Sequence, residues 1–316
     1  SSMLTTISGQ RLSKFCFGAM QFGKGSDHTQ SQAIYAQCRH AGINHFDTAH
    51  AYTEGLSETW LGEFLKNDRD NVFISSKVGY TGGSEPENLS KQFEESLSRL
   101  SQDQVDILYL HRFDPDTPLE KTLNWFAEQI EQQRIRYIGV SNFAAWQITK
   151  AQFIGQQLGV HISAAQPMYS LVKRQAEVEI FPACHDFNIE CFSYSPLGAG
   201  LLTGKYASKG IKGRLTDDAR YAKRYGASAM HASAKALHEI SKRYNVSSTT
   251  LAVAWVLKSP YRTTPIISGR TSEQLSPVID ALDFDMSEDL LAEINEVSPK
   301  PAPATDRLEE QAQVNY

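Results

Sequence analysis

Eight short apolar runs, each followed by an amphipathic stretch or a long connection, succeed one another from residue 13 to residue 269 of this 316-residue chain. The runs are SKFCFG (13–18), HFDTA (45–49), VFISSKV (72–78), VDILYLH (105–111), RYIGVSN (136–142), SAAQPMYS (163–170), IECFSYSP (189–196) and TTPIISG (263–269). Between and after them, residues 30–41, 57–66, 88–100, 118–130, 144–157, 175–187 and 272–282 carry apolar residues at helical spacing. Two further helical stretches, about 228–244 and 248–258, precede the last run. Strands buried on both faces read as continuous apolar runs, and strand–helix alternation demands a parallel sheet. Eight such units closing on themselves predict an α/β chain folded as a (β/α)8 TIM barrel, with two extra helices and a long loop after strand 7. An open doubly wound sheet is the alternative; the G-x-G-x-x-G fingerprint after the first run, which would favour it, is absent.

The whole chain, 1–316, reads as one domain. Ser1 and Ser2 read as an appended scar before Met3, and 299–316 as a C-terminal tail packed over the barrel. The stretch before residue 13, with Ser8-Gly9, predicts a hairpin at the barrel bottom. Thr117-Pro118-Leu119-Glu120 and Thr271-Ser272-Glu273-Gln274 both suit capping boxes, with Thr at the N-cap. The connections 79–88 and 197–227 are long, as functional loops often are.

Composition excludes several classes of function. A formal net charge of −5 and a pI near 6.0 give no whole-chain basic footprint for nucleic acid or membrane. No apolar stretch reaches the ~18 residues of a membrane span, and no signal pattern opens the chain. Cys16, Cys38, Cys184 and Cys191 show no C-x-x-C spacing. Buried reduced thiols in a cytoplasmic protein are the expectation.

Three of the runs end in polar residues for which a buried strand has no structural use. Asp47, Lys77 and His111 end the second, third and fourth strands, and Tyr52 lies in the loop after the second. In a TIM barrel those ends form one face, so the four groups should converge there. A tyrosine, with a reference pKa near ~10, is a poor acid at neutral pH. An ammonium such as Lys77 beside Tyr52 would lower that pKa, and Asp47 would keep Lys77 charged. His111 can donate a hydrogen bond to a carbonyl oxygen. The four together can deliver a proton, but they hold no electrons to give.

The second half of the chain suits a cofactor. Ser141, Asn142 and Gln166 end the fifth and sixth strands with groups that match a carboxamide. Tyr194, after the seventh, offers a flat face for a ring. Ser195-Pro196-Leu197-Gly198 turns sharply, and Lys205 and Arg214 bring positive charge into the next loop. Ser268 and Arg270, before a helix start that includes Gln274, form a favourable phosphate position.

These segments together resemble the aldo-keto reductases. DTAHAY, ISSKV, YLHR, GVSNF, YSPLGAGLLTGKY and PIISGRTSEQL carry the resemblance, which spans roughly residues 3–298 in the family's order. HRFDPDTPLEKTL and SPLGAGLLTGKY are similar to the branch of bacterial reductases and potassium-channel β-subunits. The resemblance implies Tyr52 as general acid with Asp47, Lys77 and His111 completing a tetrad. It implies that Ser141, Asn142 and Gln166 hold a nicotinamide carboxamide, on whose ring Tyr194 stacks. Ser195, Pro196, Leu197, Gly198, Lys205 and Arg214 would hold phosphates, Ser268, Arg270 and Gln274 the adenosine 2′-phosphate end, and Met20 would also touch the cofactor. Pro277 and Val278 depart from the pattern, standing where the family has the Glu and Asn that contact adenine. Arg270 favours NADPH over NADH, because guanidinium binds phosphate in a charge-assisted way.

Competing readings concern the rest. His40, His45 and His50 recur every five residues, which matches neither helix nor strand, so no metal site is expected. Asp114 and Asp116 mark a turn between Pro115 and Pro118 rather than a cation pair. Gly198 to Lys205 misses the G-x-x-x-x-G-K-[ST] spacing of a nucleotide hydrolase. Met20, Phe22, Phe113 and Tyr169 could form an apolar substrate wall or simply pack. The expected activity is reduction of aldehydes, with ketones or sugars as further candidates for the small carbonyl substrate. A cofactor-bound regulatory or redox-sensing subunit with slow turnover is the alternative, as is an aldose dehydrogenase using NAD⁺ or NADP⁺. Substrate identity, reaction direction and oligomeric state are not legible.

Overall fold

The structure is a computed structural model that describes residues 4–205 and 219–310. Eight parallel strands are hydrogen-bonded in chain order into a closed barrel. They are β1 (Cys16–Gly18), β2 (His45–Asp47), β3 (Phe73–Val78), β4 (Val105–Leu110), β5 (Ile135–Ser141), β6 (Ile162–Gln166), β7 (Glu190–Ser193) and β8 (Thr264–Ile267). The helices are α1 (His28–His40), α2 (Leu56–Leu65), α3 (Pro86–Leu100), α4 (Leu119–Glu131), α5 (Ala145–Gln157), α6 (Ile180–Asp186), α7 (Ala219–Tyr225), α8 (Ser228–Tyr244), α9 (Ser248–Leu257), α10 (Ser272–Ile279) and α11 (Glu288–Glu296). The (β/α)8 architecture expected from the alternation is therefore present, with α8 and α9 as the two extra helices before β8. Two compact units can be described: Ser1–Pro167, Ala183–Phe192 and Ile266–Leu275 form one, and Met168–Pro182, Ser193–Pro265 and Ser276–Tyr316 the other.

The strand period positions the site. Side chains alternate across a strand, so Phe73, Ser75 and Lys77 share one face of β3, and His45 and Asp47 one face of β2. Pairing aligns Asp47 with Ser75 and Lys77 with Tyr109. An aromatic floor lies on the same face as these polar groups: the His45 ring stands edge-on to Phe73 at 4.8 Å and to Phe192 at 4.9 Å. Tyr109 is fully buried and needs space from β5: a Cβ on Gly139 would fall 2.4 Å from its ring.

A short hairpin precedes β1, as expected: Thr5 bridges Arg11, and Thr6 N donates to Gln10 O at 3.0 Å. It is tied to the N-terminal ends of the strands, with Ser8 N donating to Asp70 O and Arg136 Nη1 to Thr5 O.

Several local expectations need correction. Thr117 does not cap α4: its hydroxyl donates to Asp114 at 2.7 Å, and Pro118 stands at the cap. At α10 the box is shifted by one residue. Gln274 N donates to Thr271 Oγ1, but Gln274 Oε1 accepts from Arg270 N rather than from Thr271 N. Residues 175–187 divide into a 3₁₀ turn, Gln175–Glu177, and α6. Neither α7, inside the 197–227 connection expected as a loop, nor α11 was foreseen, although Ser287 caps α11 by accepting from Leu290 N. Residues 304–309 of the expected tail are exposed rather than packed. All four cysteines are buried reduced thiols. No helix among the described residues is long and apolar enough to cross a membrane.

Candidate active site

The ends of β2, β3 and β4 carry Asp47, Lys77 and His111, and Tyr52 follows β2 in a tight turn. Lys77 is buried, with 1% of its side chain exposed, and its ammonium has three partners. It is ion-paired to Asp47 Oδ2, donates to Thr48 O at 2.9 Å, and donates to the Tyr52 hydroxyl at 3.0 Å. Burial works against this charge. The Asp47 carboxylate and the Tyr52 hydroxyl outweigh it and hold the ammonium above the ordinary lysine range. Asp47 Oδ1 accepts from Ser75 Oγ at 2.6 Å and from Gln166 Nε2 at 3.1 Å, so both carboxylate oxygens are satisfied.

His111 stands edge-on to Tyr52, ring centroids 6.0 Å apart, and leans on Tyr80 at 4.8 Å. Burial, then the positive charges of Lys77 and Arg112, push its imidazole well below the ordinary histidine value, so it is neutral at neutral pH. Its Nδ1 is buried with no partner among the described residues. A buried polar atom left without a partner calls for an explanation, and at the end of β4 beside Tyr52 it suits a place for another group.

Ser141, Asn142 and Gln166 adjoin this cluster. Ser141 Oγ donates to Gln166 O at 3.0 Å, and Asn142 Nδ2 donates to His111 O at 3.1 Å. Asn142 holds a left-handed φ of 58°, a conformation asparagine tolerates better than most residues. Because Gln166 uses its amide N–H on Asp47, its Oε1 is left as an acceptor. Ser268, Arg270 and Gln274 lie at the β8–α10 junction, where Ser26 Oγ also donates to Arg270 O at 2.7 Å. The Arg270 stem lies over Gly25, where a Cβ would come within 2.9 Å of it. Among the described residues its guanidinium makes no ion pair. Met20 is half-buried, two residues past β1.

Tyr194, Ser195, Pro196, Leu197, Gly198 and Lys205 belong to the second unit. Tyr194 is half-buried, and its carbonyl accepts from Tyr169 N at 3.2 Å. The turn after it is built from left-handed residues: Ser195 at φ 59°, Gly198 at 59°, Ala199 at 55° and Gly200 at 94°. Lys205 is half-buried beyond a 3₁₀ turn, Leu201–Thr203. Arg214 lies outside the described residues.

Two of the four suggested wall residues are core. Phe22 is fully buried against Phe17 and Phe64, and Tyr169 is fully buried against Phe181 and Trp255 with its hydroxyl on Glu177. Phe113 packs on Phe143 and Trp146. Asp114 accepts from Ser84 N, Asp116 N and Thr117 Oγ1, which staples the loop after β3 to the loop after β4. Val278 is buried, so its side chain is core rather than presented to a ligand. Ser75, the second anchor of Asp47, was missed by motif reading, although its place two residues before Lys77 puts it on the same face.

The model of the aldo/keto reductase family matches residues 14–299. The uncharacterized oxidoreductase YrpG of Bacillus subtilis is 32% identical, covering 94% of this chain and 95% of that protein. A probable voltage-gated potassium channel subunit beta of Oryza sativa is 33% identical, covering 87% of this chain and 89% of its own length. Norsolorinic acid reductase of Aspergillus flavus is 28% identical, covering 94% and 80% respectively. On a match this extensive, the chain belongs to the aldo/keto reductase family.

Proposed function

We propose that this protein reduces aldehydes, and by the same chemistry ketones or sugars, to alcohols with NADPH as electron donor and Tyr52 as proton donor. The observation that carries the reading is the 3.0 Å hydrogen bond between Lys77 Nζ and the Tyr52 hydroxyl, with Lys77 ion-paired to buried Asp47. An ammonium kept charged at that distance stabilises the phenolate left when Tyr52 gives up its proton. Neutral His111, with an unpartnered Nδ1, orients the carbonyl oxygen beside the hydroxyl. Asp47 moves no proton; it keeps Lys77 charged and in place.

Within each unit, the remaining polar groups suit parts of a dinucleotide. The Gln166 Oε1 acceptor suits a carboxamide N–H, with Ser141 and Asn142 beside it. Tyr194 offers a ring face, and the left-handed turn from Ser195 to Gly200 offers backbone N–H groups to phosphate. Met20, Pro196, Leu197, Lys205 and Arg214 join this set by resemblance. Arg270, with no ion pair among the described residues, suits a 2′-phosphate, with Ser268 and Gln274 at the same junction, and this favours NADPH. When bound, the nicotinamide supplies a hydride to the carbonyl carbon. The protein delivers the proton to oxygen, which completes the alcohol.

Tyr52→Phe tests the reading. Turnover of a 4-nitrobenzaldehyde substrate should fall by about 10²–10⁴-fold, while NADPH binding followed by fluorescence should stay within about twofold. Near-normal turnover by that variant would remove Tyr52 as donor. The similarity to channel subunits favours a second reading, a cofactor-bound regulatory subunit with slow turnover. Fast multiple turnover with any aldehyde in a panel removes it. The same panel run with NADP⁺ and NAD⁺ on alcohols and sugars separates a dehydrogenase working in the oxidative direction.

A further inference from the structure

Three successive left-handed residues follow Tyr52: Thr53 at φ 49°, Glu54 at 54° and Gly55 at 96°. For a side chain other than glycine this conformation costs roughly 1–2 kcal/mol per residue, and a β-branched threonine rarely adopts it. A turn of that kind persists only when its surroundings hold it. Local bonds contribute: Thr53 Oγ1 accepts from Ser57 N at 2.9 Å, and Tyr52 N donates to Ala49 O at 3.2 Å. Further support comes from α3. Arg99 Nη1 donates to His50 O, two residues before Tyr52, at 3.0 Å. The same guanidinium lies against Gly55, three residues after Tyr52, where a Cβ would meet Arg99 Nε at 2.6 Å. Arg99 Nη1 also donates to Glu58 Oε1 at 3.0 Å, and Glu95 flanks the other side at 3.6 Å from Nη2.

Glu58 is fully buried, and its second oxygen accepts from Ser76 Oγ at 2.7 Å. Ser76 immediately precedes Lys77 on β3. One guanidinium thus touches the chain on both sides of Tyr52, and through Glu58 it is tied to the strand that presents Lys77. We propose that Arg99 is a positioning residue for Tyr52, holding its hydroxyl within hydrogen-bond reach of Lys77 through His50, Gly55 and the Glu58–Ser76 link. The proposal rests on the reading of Tyr52 as proton donor.

A misplacement of about 1 Å can lower a rate by about 10²-fold, so the effect belongs in kcat and in its pH profile. Arg99→Met alone would strand the buried Glu58 carboxylate, so the double variant Arg99→Met/Glu58→Gln, which removes both charges together, is the primary test. Arg99→Lys is the conservative variant, retaining the charge beside Glu58 without the flat contact under Gly55. The expected result for the double variant is kcat lowered at least about tenfold, with a shifted midpoint in the kcat–pH profile. NADPH affinity by fluorescence should stay within about twofold, with Arg99→Lys intermediate in kcat. An unchanged kcat and pH profile in both variants, beside an inactive Tyr52→Phe, overturns the positioning role and leaves the donor reading standing. Losses of kcat and NADPH-binding capacity that merely track the fraction of unfolded protein, with an unshifted profile, also overturn it. An active Tyr52→Phe overturns the donor reading itself, and the proposal with it.

Discussion

The side-chain N–H of Gln166, at the end of β6, donates to Asp47 Oδ1, at the end of β2, at 3.1 Å. A residue that motif reading assigns to the cofactor is thereby also a support of the Asp47–Lys77 pair. Gln166→Leu should act on both functions. It removes the acceptor offered to a carboxamide, and it takes one of three bonds from the buried carboxylate. At roughly 1–1.5 kcal/mol for each lost bond, KM for NADPH should rise and kcat should fall, each by about tenfold. Ser141→Ala, whose hydroxyl donates to Gln166 O and accepts from Asn142 Nδ2 but does not touch Asp47, should raise KM with little change in kcat. Steady-state kinetics on the two variants distinguishes them, and a Gln166→Leu effect confined to KM would mean the bond to Asp47 has no kinetic role.

Lys77→Met should harm stability as well as turnover. It leaves Asp47, 2% exposed, buried without its counter-charge. Breaking one side of a buried pair costs about 3–5 kcal/mol, whereas removing both sides together is often neutral. Urea unfolding should therefore show Lys77→Met strongly destabilised and Asp47→Asn/Lys77→Met close to the parent. Both should lack turnover. A double variant as unstable as the single would mean that the loss comes from packing of the lysine stem.

Arg270 should decide between the two nicotinamide dinucleotides. Its guanidinium has no carboxylate partner among the described residues, so its charge is available to a phosphate. A charge-assisted bond is worth about 1.5–3 kcal/mol, roughly 10–150-fold in affinity. Arg270→Ala should raise KM for NADPH by that range and leave KM for NADH nearly unchanged. Equal effects on the two cofactors would remove the 2′-phosphate assignment.

The barrel and the gathering of Asp47, Lys77 and His111 at its strand ends were legible in the chain because both rest on periodicity. Buried parallel strands leave unbroken apolar runs, so a terminal Lys77 or His111 stands out against its own strand. The period of two then fixes which side chains face Asp47. What was not legible depends on contacts between distant segments. Glu58 and Arg99 read as ordinary charges on amphipathic helices, and only folding buries one beneath the other. Phe22 and Tyr169 carry the same composition signal as a substrate wall, but the local runs do not say which side they face. Thr117 looked like a cap until Asp114, held by Ser84 N from another loop, captured its hydroxyl. Helix α11 did carry its signal, Ser287 followed by Glu288 and Asp289. It follows the last strand, outside the strand–helix repeat.

His45 should make stability depend on pH. Burial between Phe73 and Phe192, then the Lys77 charge, lower its pKa from the ordinary 6.5 to about 3. Between those values the unfolded chain binds a proton at this position that the folded chain excludes. The contribution is therefore fully present above pH 6.5 and is lost as pH falls toward 3. The slope is about 1.4 kcal/mol per pH unit for each such histidine. His111, also buried and neutral, adds a slope of the same sign. Unfolding free energies measured by urea at several values between pH 7 and pH 5 should fall with acidity in the parent. In His45→Leu, which keeps an apolar group between the two rings but cannot titrate, the fall should be distinctly shallower, with the remainder owed to His111. A slope identical in parent and variant would show that His45 takes up its proton without leaving the folded state.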